Sequence, residues 1–212
     1  MRAVVYDPLA KLRVTVGLHN GSDETWRQFN AVIDEYAREG ARKLPALRRE
    51  VEDDGEVARY AARAIGRMGV AGWPTLKSLL THPDDTVRHC AIVDGVAEFW
   101  GGWRWDEATL TECSEILARI LQSDNPENRS AVLFRIGELV DITLAHPLFP
   151  IMIEVAEHED RLGEEARATI VTLVKQGHLE DLADDPTRAA MLSAAYGRAQ
   201  ARPAGAIPGG TR

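Results

Sequence analysis

Disulfide-forming cysteine pairs, long apolar runs and surplus basic charge are all missing from this 212-residue chain. Its two cysteines, Cys90 and Cys113, lack CxxC spacing, so the sequence predicts no disulfide framework and favours a reducing, cytoplasmic location. No run of 18 apolar residues occurs, and Asp7 and Pro8 interrupt the short apolar stretch near the start. We therefore expect neither a membrane span nor a signal peptide.

The charge is unevenly distributed along the chain. The net charge is −8, of which residues 1–106 contribute −1 (15 basic, 16 acidic) and residues 107–212 contribute −7 (10 basic, 17 acidic). Nucleic acid and anionic lipid repel an acidic protein unless it concentrates its bases on one face. The charge thus disfavours nucleic acid as a partner and favours a basic partner protein.

Catalytic and metal-binding signatures are also missing. The patterns GxSxG, HExxH, GxxxxGK and GxGxxG do not occur, and His82, His89 and the two cysteines lack the spacing of zinc ligands. The segment HEDRLGEE, from His158 to Glu165, is typical of a loop followed by a helix N-terminus. We expect no metal and no cofactor, and an enzyme is the less favoured class.

What the sequence does contain is an internal repeat. The segments VARYAARAIGRMG, PDDTVRHCAIVDGVAEF, DNPENRSAVLFRIGELV and RLGEEARATIVTLVKQG each carry one apolar helical stripe behind an acidic or amide-rich start. Their first inward positions, 57, 87, 128 and 166, give unit lengths of 30, about 41 and about 38 residues. These lengths are typical of a repeated helix pair.

Each copy follows another amphipathic segment, often opened by proline, which a helix tolerates in its first turn. These segments are LPALRREV, WPTLKSLL, TLTECSEILARILQ and HPLFPIMIEVAEH. An initial helix, DETWRQFNAVIDEYAR, is expected to direct Trp26, Phe29, Ile33 and Tyr36 inward and to cap the stack. Only AVVY and LRVTV have a strand-like pattern.

The pattern D-D-x-V-R-x-x-A, followed by an apolar stripe and a helix-ending glycine, resembles the HEAT-repeat family, close to the armadillo and PBS-lyase-type repeats. VARYAARAIGRMG matches best, with Ala58 in the arginine place, and PDDTVRHCAI restores that arginine as Arg88. The resemblance covers about residues 41–180 and departs at Asn128 and Ala166, which replace the opening valine. It implies a curved stack of helix pairs whose inner face binds protein, peptide or, less often, nucleic acid.

We therefore expect an all-α fold, an α-solenoid of four to five HEAT-like helix pairs with a short irregular or strand-like N-terminal segment. Residues 1–40 would form that segment and the capping helix, and residues 41–180 the repeats. Residues 181–202 would form a C-terminal helix, and residues 203–212, rich in proline and glycine, a disordered tail.

Two groups of side chains are candidates for partner binding. The first contains Trp100, Trp103, Arg104 and Trp105 at a turn between repeats, where they could bind a partner or fill the gap between repeats. The second is a line along one helix, spaced i, i+4, i+8: Arg59, Arg63 and Arg67. This line could receive an acidic partner, or it could be a solvated face paired with nearby glutamates.

Asp94 and Arg135 fall at inward positions of the second and third copies. An inward charge is costly unless it is paired. The open alternatives are that Asp94 and Arg135 face each other as an ion pair across adjacent repeats, that rotation of the helix exposes them, and that they are functional charges in the groove.

The favoured function is a non-enzymatic adaptor, inhibitor or immunity-type protein that holds another protein in its concave face. The alternative is a DNA-binding enzyme similar to the HEAT-like alkylpurine DNA glycosylases, suggested by the tryptophan cluster, Asp106 and the Arg59 line. A pigment lyase or lyase-chaperone is a third possibility, supported by the repeat alone.

Overall fold

The structure, a computed structural model, describes residues 7–18, 21–101, 106–139, 145 and 147–202. Every regular element in these ranges is helical, which confirms the all-α prediction. The α-helices are α1 (Ala10–Gly17), α2 (Asp23–Glu39), α3 (Leu44–Glu52), α4 (Ala58–Arg67), α5 (Trp73–Leu80), α6 (Asp85–Cys90), α7 (Ala97–Gly101), α8 (Glu107–Ser123), α9 (Pro126–Gly137), α10 (Phe149–Ala156), α11 (Arg161–Lys175), α12 (His178–Asp181) and α13 (Pro186–Ala201). A π-helical segment (Ala91–Val96) joins α6 to α7. In the described part of the chain, no helix is long and apolar enough to cross a membrane.

The helices begin where the sequence places capping residues. The side chains of Asp84, Asn125 and Asp160 accept backbone N–H bonds at the starts of α6, α9 and α11. These bonds satisfy amide groups that a helix N-terminus leaves without a partner. The Asp160 cap also confirms that the segment after His158 is a loop followed by a helix N-terminus.

The strand-like expectation for LRVTV is wrong, because this stretch lies in α1. A strand would place Leu12 and Val14 on one face, whereas Leu12 is fully buried and Val14 is 62% exposed. Helical spacing instead buries Leu9 together with Leu12, and the Leu12 amide donates to the Tyr36 hydroxyl of α2. AVVY lies outside the described residues, as does the predicted tail.

The chain divides into two compact units, Met1–Cys113 and Ser114–Arg212. In the first unit, α4 packs against α2 on one side and against the π-helical segment and α7 on the other. Helices α3 and α5 pack against each other and against α4. The first unit thus has two helical layers, one of α2, α4, the π-helical segment and α7 and the other of α3 and α5.

The approach of α4 to the π-helical segment is close because α4 carries glycine at the contact. A Cβ atom on Gly66 would lie 2.0 Å from the carbonyl oxygen of Gly95, whereas one on Gly95 would face α5 and lie 2.5 Å from Leu76 Cδ1. The α4 side chains on this inner surface are small as well, including Ala61 and Ala62. Small residues therefore set the helix spacing in this layer.

In the second unit, α11 packs against α9, α10 and α13, and the short α12 packs against α11 and α13. The Thr169 hydroxyl lies 3.4 Å from the Leu133 carbonyl of α9 and 3.0 Å from the Glu165 carbonyl of its own helix. The His178 ring is buried and lies within hydrogen-bond distance of both the Leu139 carbonyl and the Asp181 carboxylate. Each helix here contacts the next one along the chain or the next but one.

One hydrogen bond recurs in three of the predicted copies. An arginine near the start of the second helix donates to a carbonyl at or just beyond the C-terminus of the preceding helix, where carbonyls lack helical partners. The bonds join Arg88 to His82 (2.6 Å), Arg129 to Leu121 (2.7 Å) and Arg167 to Ala156 (2.7 Å). In the first copy, which has Ala58 in the arginine place, the Glu50 carboxylate instead accepts from the Val57 amide and from Arg13.

We expect protonation of the Asp84 cap to cause part of the loss of stability of the first unit in acid. Backbone hydrogen bonds from Thr86 and Val87 lower the pKa of Asp84 below its ordinary value. As the pH falls, Asp84 is therefore protonated in the unfolded chain before it is protonated in the folded protein. The stabilising effect of the charged cap is present near neutral pH and is lost as the pH falls through the pKa of Asp84 in the folded protein. We expect Asp84→Asn, which keeps a neutral cap, to lose less stability than the wild type between about pH 7 and about pH 3 in urea unfolding.

The matched control is Asp184→Asn, which changes an exposed carboxylate in a turn. It should leave the acid dependence as in the wild type. If Asp84→Asn and the wild type lose the same stability on acidification, the cap does not contribute to the pH dependence.

Candidate functional site

The predicted tryptophan group is only partly within the described residues. Trp100 lies in α7 and is 9% exposed. Its ring nitrogen finds no oxygen or nitrogen acceptor among the described residues, and the polar group it meets is the weakly accepting Cys113 thiol. Trp100 therefore fits the gap-filling interpretation, while Trp103, Arg104 and Trp105 lie outside the described residues and their role stays a prediction.

The arginine line of α4 is placed opposite a matching line of carboxylates. Arg59 Nε lies 2.9 Å from Asp94 Oδ2, and Arg63 Nε lies 2.9 Å from Glu98 Oε1. Arg67 Nη2 lies 2.5 Å from the other oxygen of Glu98. The two carboxylates are four residues apart, as are neighbouring arginines, so the lines meet in register.

Asp94 is therefore neither exposed nor unpaired. Its side chain is 8% exposed and pairs with Arg59, so Asp94 forms a structural ion pair, but the mutual pair of Asp94 and Arg135 expected from the sequence is wrong. Asp94 lies within the π-helical segment, whereas Glu98 lies in α7. Arg135, the other inward charge, pairs with Glu138 of the α9 C-terminus.

Arg67 extends the network to α2. Its guanidinium lies 3.0 Å from Asp34 Oδ1 and 3.3 Å from Asn30 Oδ1. Burial acts to lower the pKa of Arg67, but hydrogen bonding to Glu98 and Asp34 and the charges of these carboxylates outweigh it and raise the pKa. Arg67 thus stays positively charged and links its own helix, α4, to α2 and α7.

Trp26 borders this network and is 39% exposed, although its helix buries Phe29, Ile33 and Tyr36 as predicted. Its ring packs edge-on against Phe29, and the Arg63 guanidinium lies 5.8 Å from its centroid. Trp26 lies one turn before Phe29 and close to the start of α2. Sequence reasoning placed it inward because the helical stripe alone does not show how much of the first turn its neighbours cover.

These residues form one surface, which we call the ladder face: Trp26, Asp34, Arg59, Arg63, Arg67, Asp94 and Glu98. It combines an exposed indole with charges of both signs. Trp and Arg are enriched among residues that contribute most to protein–protein binding. Because each arginine is matched by a carboxylate, the face has little surplus charge.

The titratable side chains give no sign of a reactive centre in the described ranges. No group of three or more His, Cys, Asp or Glu side chains there is arranged to hold a metal ion. Burial, with the nearby Asp94 charge, raises the pKa of Cys90 to about 12, and burial also raises that of Cys113. Neither thiol is a thiolate at neutral pH, as a cysteine nucleophile would have to be.

Asp106, the aspartate considered for a glycosylase, caps α8 instead. Its carboxylate accepts from the Thr109 amide at 2.8 Å, and this backbone bond lowers the pKa of Asp106. The side chain is thereby committed to a structural contact at a helix N-terminus.

Comparison with known proteins adds no assignment to this geometry. No protein-family model matches the chain, and no curated protein sequence matches it significantly. The ladder face is therefore the feature from which a function is argued.

Proposed function

We propose that this protein is a non-enzymatic protein–protein interaction module, an α-solenoid of HEAT-like helix pairs that binds a partner protein on its concave face. The observation that carries the proposal is the ladder face, where the exposed Trp26 ring lies beside arginines already matched by carboxylates. Such a surface offers apolar area and oriented hydrogen-bonding groups without a strong field of either sign.

The repeat interpretation is supported by contacts within each unit. The second helices of successive copies pack side by side, as α4 does against the π-helical segment and α11 against α9. The recurring arginine-to-carbonyl bond of Arg88, Arg129 and Arg167 gives three copies the same local link. Helix pairs that shelter each other's apolar sides in this way are what a solenoid requires.

The DNA-glycosylase alternative has less support. Binding several phosphates requires surplus positive charge, whereas Arg59, Arg63 and Arg67 are paired with Asp94, Glu98 and Asp34. The acidity of residues 107–212 favours a basic protein as the partner.

The decisive residue for a test is Trp26. We expect the wild-type protein to capture a specific protein from native cytosol, and Trp26→Ala to weaken binding to that purified partner by about 2 kcal/mol, or roughly 30-fold in Kd. The Kd would be measured by isothermal titration calorimetry, and circular dichroism would confirm that the variant is folded.

Phe134→Ala provides the control, because Phe134 is 56% exposed in α9 and lies outside the ladder face. It should leave the Kd unchanged. Equal weakening by both variants, or a partner that binds Trp26→Ala as tightly as the wild type, would exclude the ladder face. Salt-dependent binding of duplex DNA in a gel-shift titration, without protein capture, would favour the glycosylase class instead.

A further inference from the structure

A cleft in the second unit contains an unusual concentration of positive charge for so acidic a chain. It is a shallow depression that lies where α10, α11 and α13 meet and is open to solvent. Its lining residues are Ala156, Glu157, Arg167, Ala195, Arg198, Ala199 and Arg202. Three arginines and a single carboxylate thus line it, which leaves a surplus of two positive charges.

The Glu157 carboxylate accepts some of the hydrogen bonds that the arginines of the cleft can donate. Arg198 Nε donates to Glu157 Oε1 at 2.8 Å, and Arg202 Nη2 lies 3.7 Å from Oε2. Both arginine side chains and the glutamate are about half exposed, so these contacts can exchange with a ligand at modest cost. An arginine carries five N–H donors, and neither Arg198 nor Arg202 uses all of them here.

Arg167 is the fixed member of the group. Its Nη1 donates to the carbonyls of Ala156 and His158 at 2.7 and 2.9 Å, which fixes the guanidinium in the lining of the cleft. The three alanines of the lining keep the walls short, so an incoming group can reach the guanidinium groups. The cleft therefore has one immobile donor and two adjustable ones.

We propose that this cleft is an oxyanion site for a phosphate group, with Arg167, Arg198 and Arg202 as its donors and Glu157 as an internal competitor. Guanidinium groups bind phosphate oxygens through paired N–H donors. A phosphate monoester carries a charge of about −1.5 to −2 near neutral pH, which matches the surplus of two positive charges. The site is independent of the ladder face and its proposed partner.

The test is a titration of the full chain with inorganic phosphate at constant ionic strength, with binding followed by isothermal titration calorimetry. We expect saturable binding, at least tenfold weaker for the double variant Arg198→Ala/Arg202→Ala. Glu157→Gln should bind phosphate several-fold more tightly than the wild type, because it removes the competing carboxylate. A purely structural role for Glu157 would not produce tighter binding.

Arg188→Ala is the matched control, because Arg188 lies on the same helix, α13, but pairs with Asp185 outside the cleft. It should leave the affinity unchanged. Titration with phosphoserine separates the sources of the phosphate group: equal affinity indicates free phosphate, and tighter binding indicates a phosphate monoester. The proposal is overturned if neither the wild type nor Glu157→Gln binds saturably, or if Arg188→Ala weakens binding as much as the double variant.

Discussion

Replacing Gly66 by alanine is expected to destabilise the first unit by about 3 kcal/mol or more. The new Cβ atom would lie 2.0 Å from the Gly95 carbonyl oxygen and 3.1 Å from the Phe99 amide nitrogen, and both are backbone atoms that cannot rotate away. Relief requires α4 to move away from the π-helical segment and α7, against which it packs. Urea unfolding followed by circular dichroism measures the loss.

Gly197→Ala is the control for this prediction. Gly197 is also a helical glycine, in α13, but a Cβ atom there meets nothing within 4 Å. Alanine favours the helix by up to about 1 kcal/mol over glycine, so this variant should be slightly stabilised. If Gly66→Ala is as stable as Gly197→Ala, the close helix approach described here is incorrect.

Glu98→Gln has the second largest expected effect, a loss of about 2 to 3 kcal/mol. Glu98 is 12% exposed and accepts from both Arg63 and Arg67, which are themselves largely covered. The neutral amide leaves two guanidinium groups close together without their shared counter-charge. The free energy of unfolding in urea, measured near neutral pH, reports this loss.

Glu24→Gln tests whether the effect belongs to the ladder face or to ion pairs in general. Glu24 pairs with Arg27 on the surface of α2, where both side chains are more than 60% exposed. Exposed pairs contribute little, so a loss under about 0.5 kcal/mol is expected. A loss of that size for Glu98→Gln as well would mean that the ladder face contributes no more than a surface pair.

Most helices of this protein can be predicted from its sequence, because they carry an apolar stripe at helical spacing and begin at a capping residue or proline. VARYAARAIGRMG, for example, contains α4, and HPLFPIMIEVAEH contains α10. LRVTV was misassigned because so short a segment has little local preference, and packing of Leu9 and Leu12 against the chain decides its state.

Only part of the candidate site could be predicted from the sequence. The spacing of Arg59, Arg63 and Arg67 was visible, and the matching spacing of Asp94 and Glu98 was a signal that could have identified their partners. The exposure of Trp26 could not be predicted from the apolar stripe, because the stripe does not show how much of the first turn of α2 its neighbours cover. The π-helical turn also has no local sequence signature in AIVDGV.

That turn gives the first unit an unusual tolerance of one change in chain length. A π-helical turn contains one residue more than an α-helical turn, so it absorbs a single extra residue while the helix on either side keeps its facing. Deleting one residue from 91–93 would let the segment wind as ordinary α-helix and leave Glu98 facing Arg63 and Arg67. If the same six residues wound as α-helix without the deletion, everything after them would rotate by about 100° and Glu98 would turn away from both arginines.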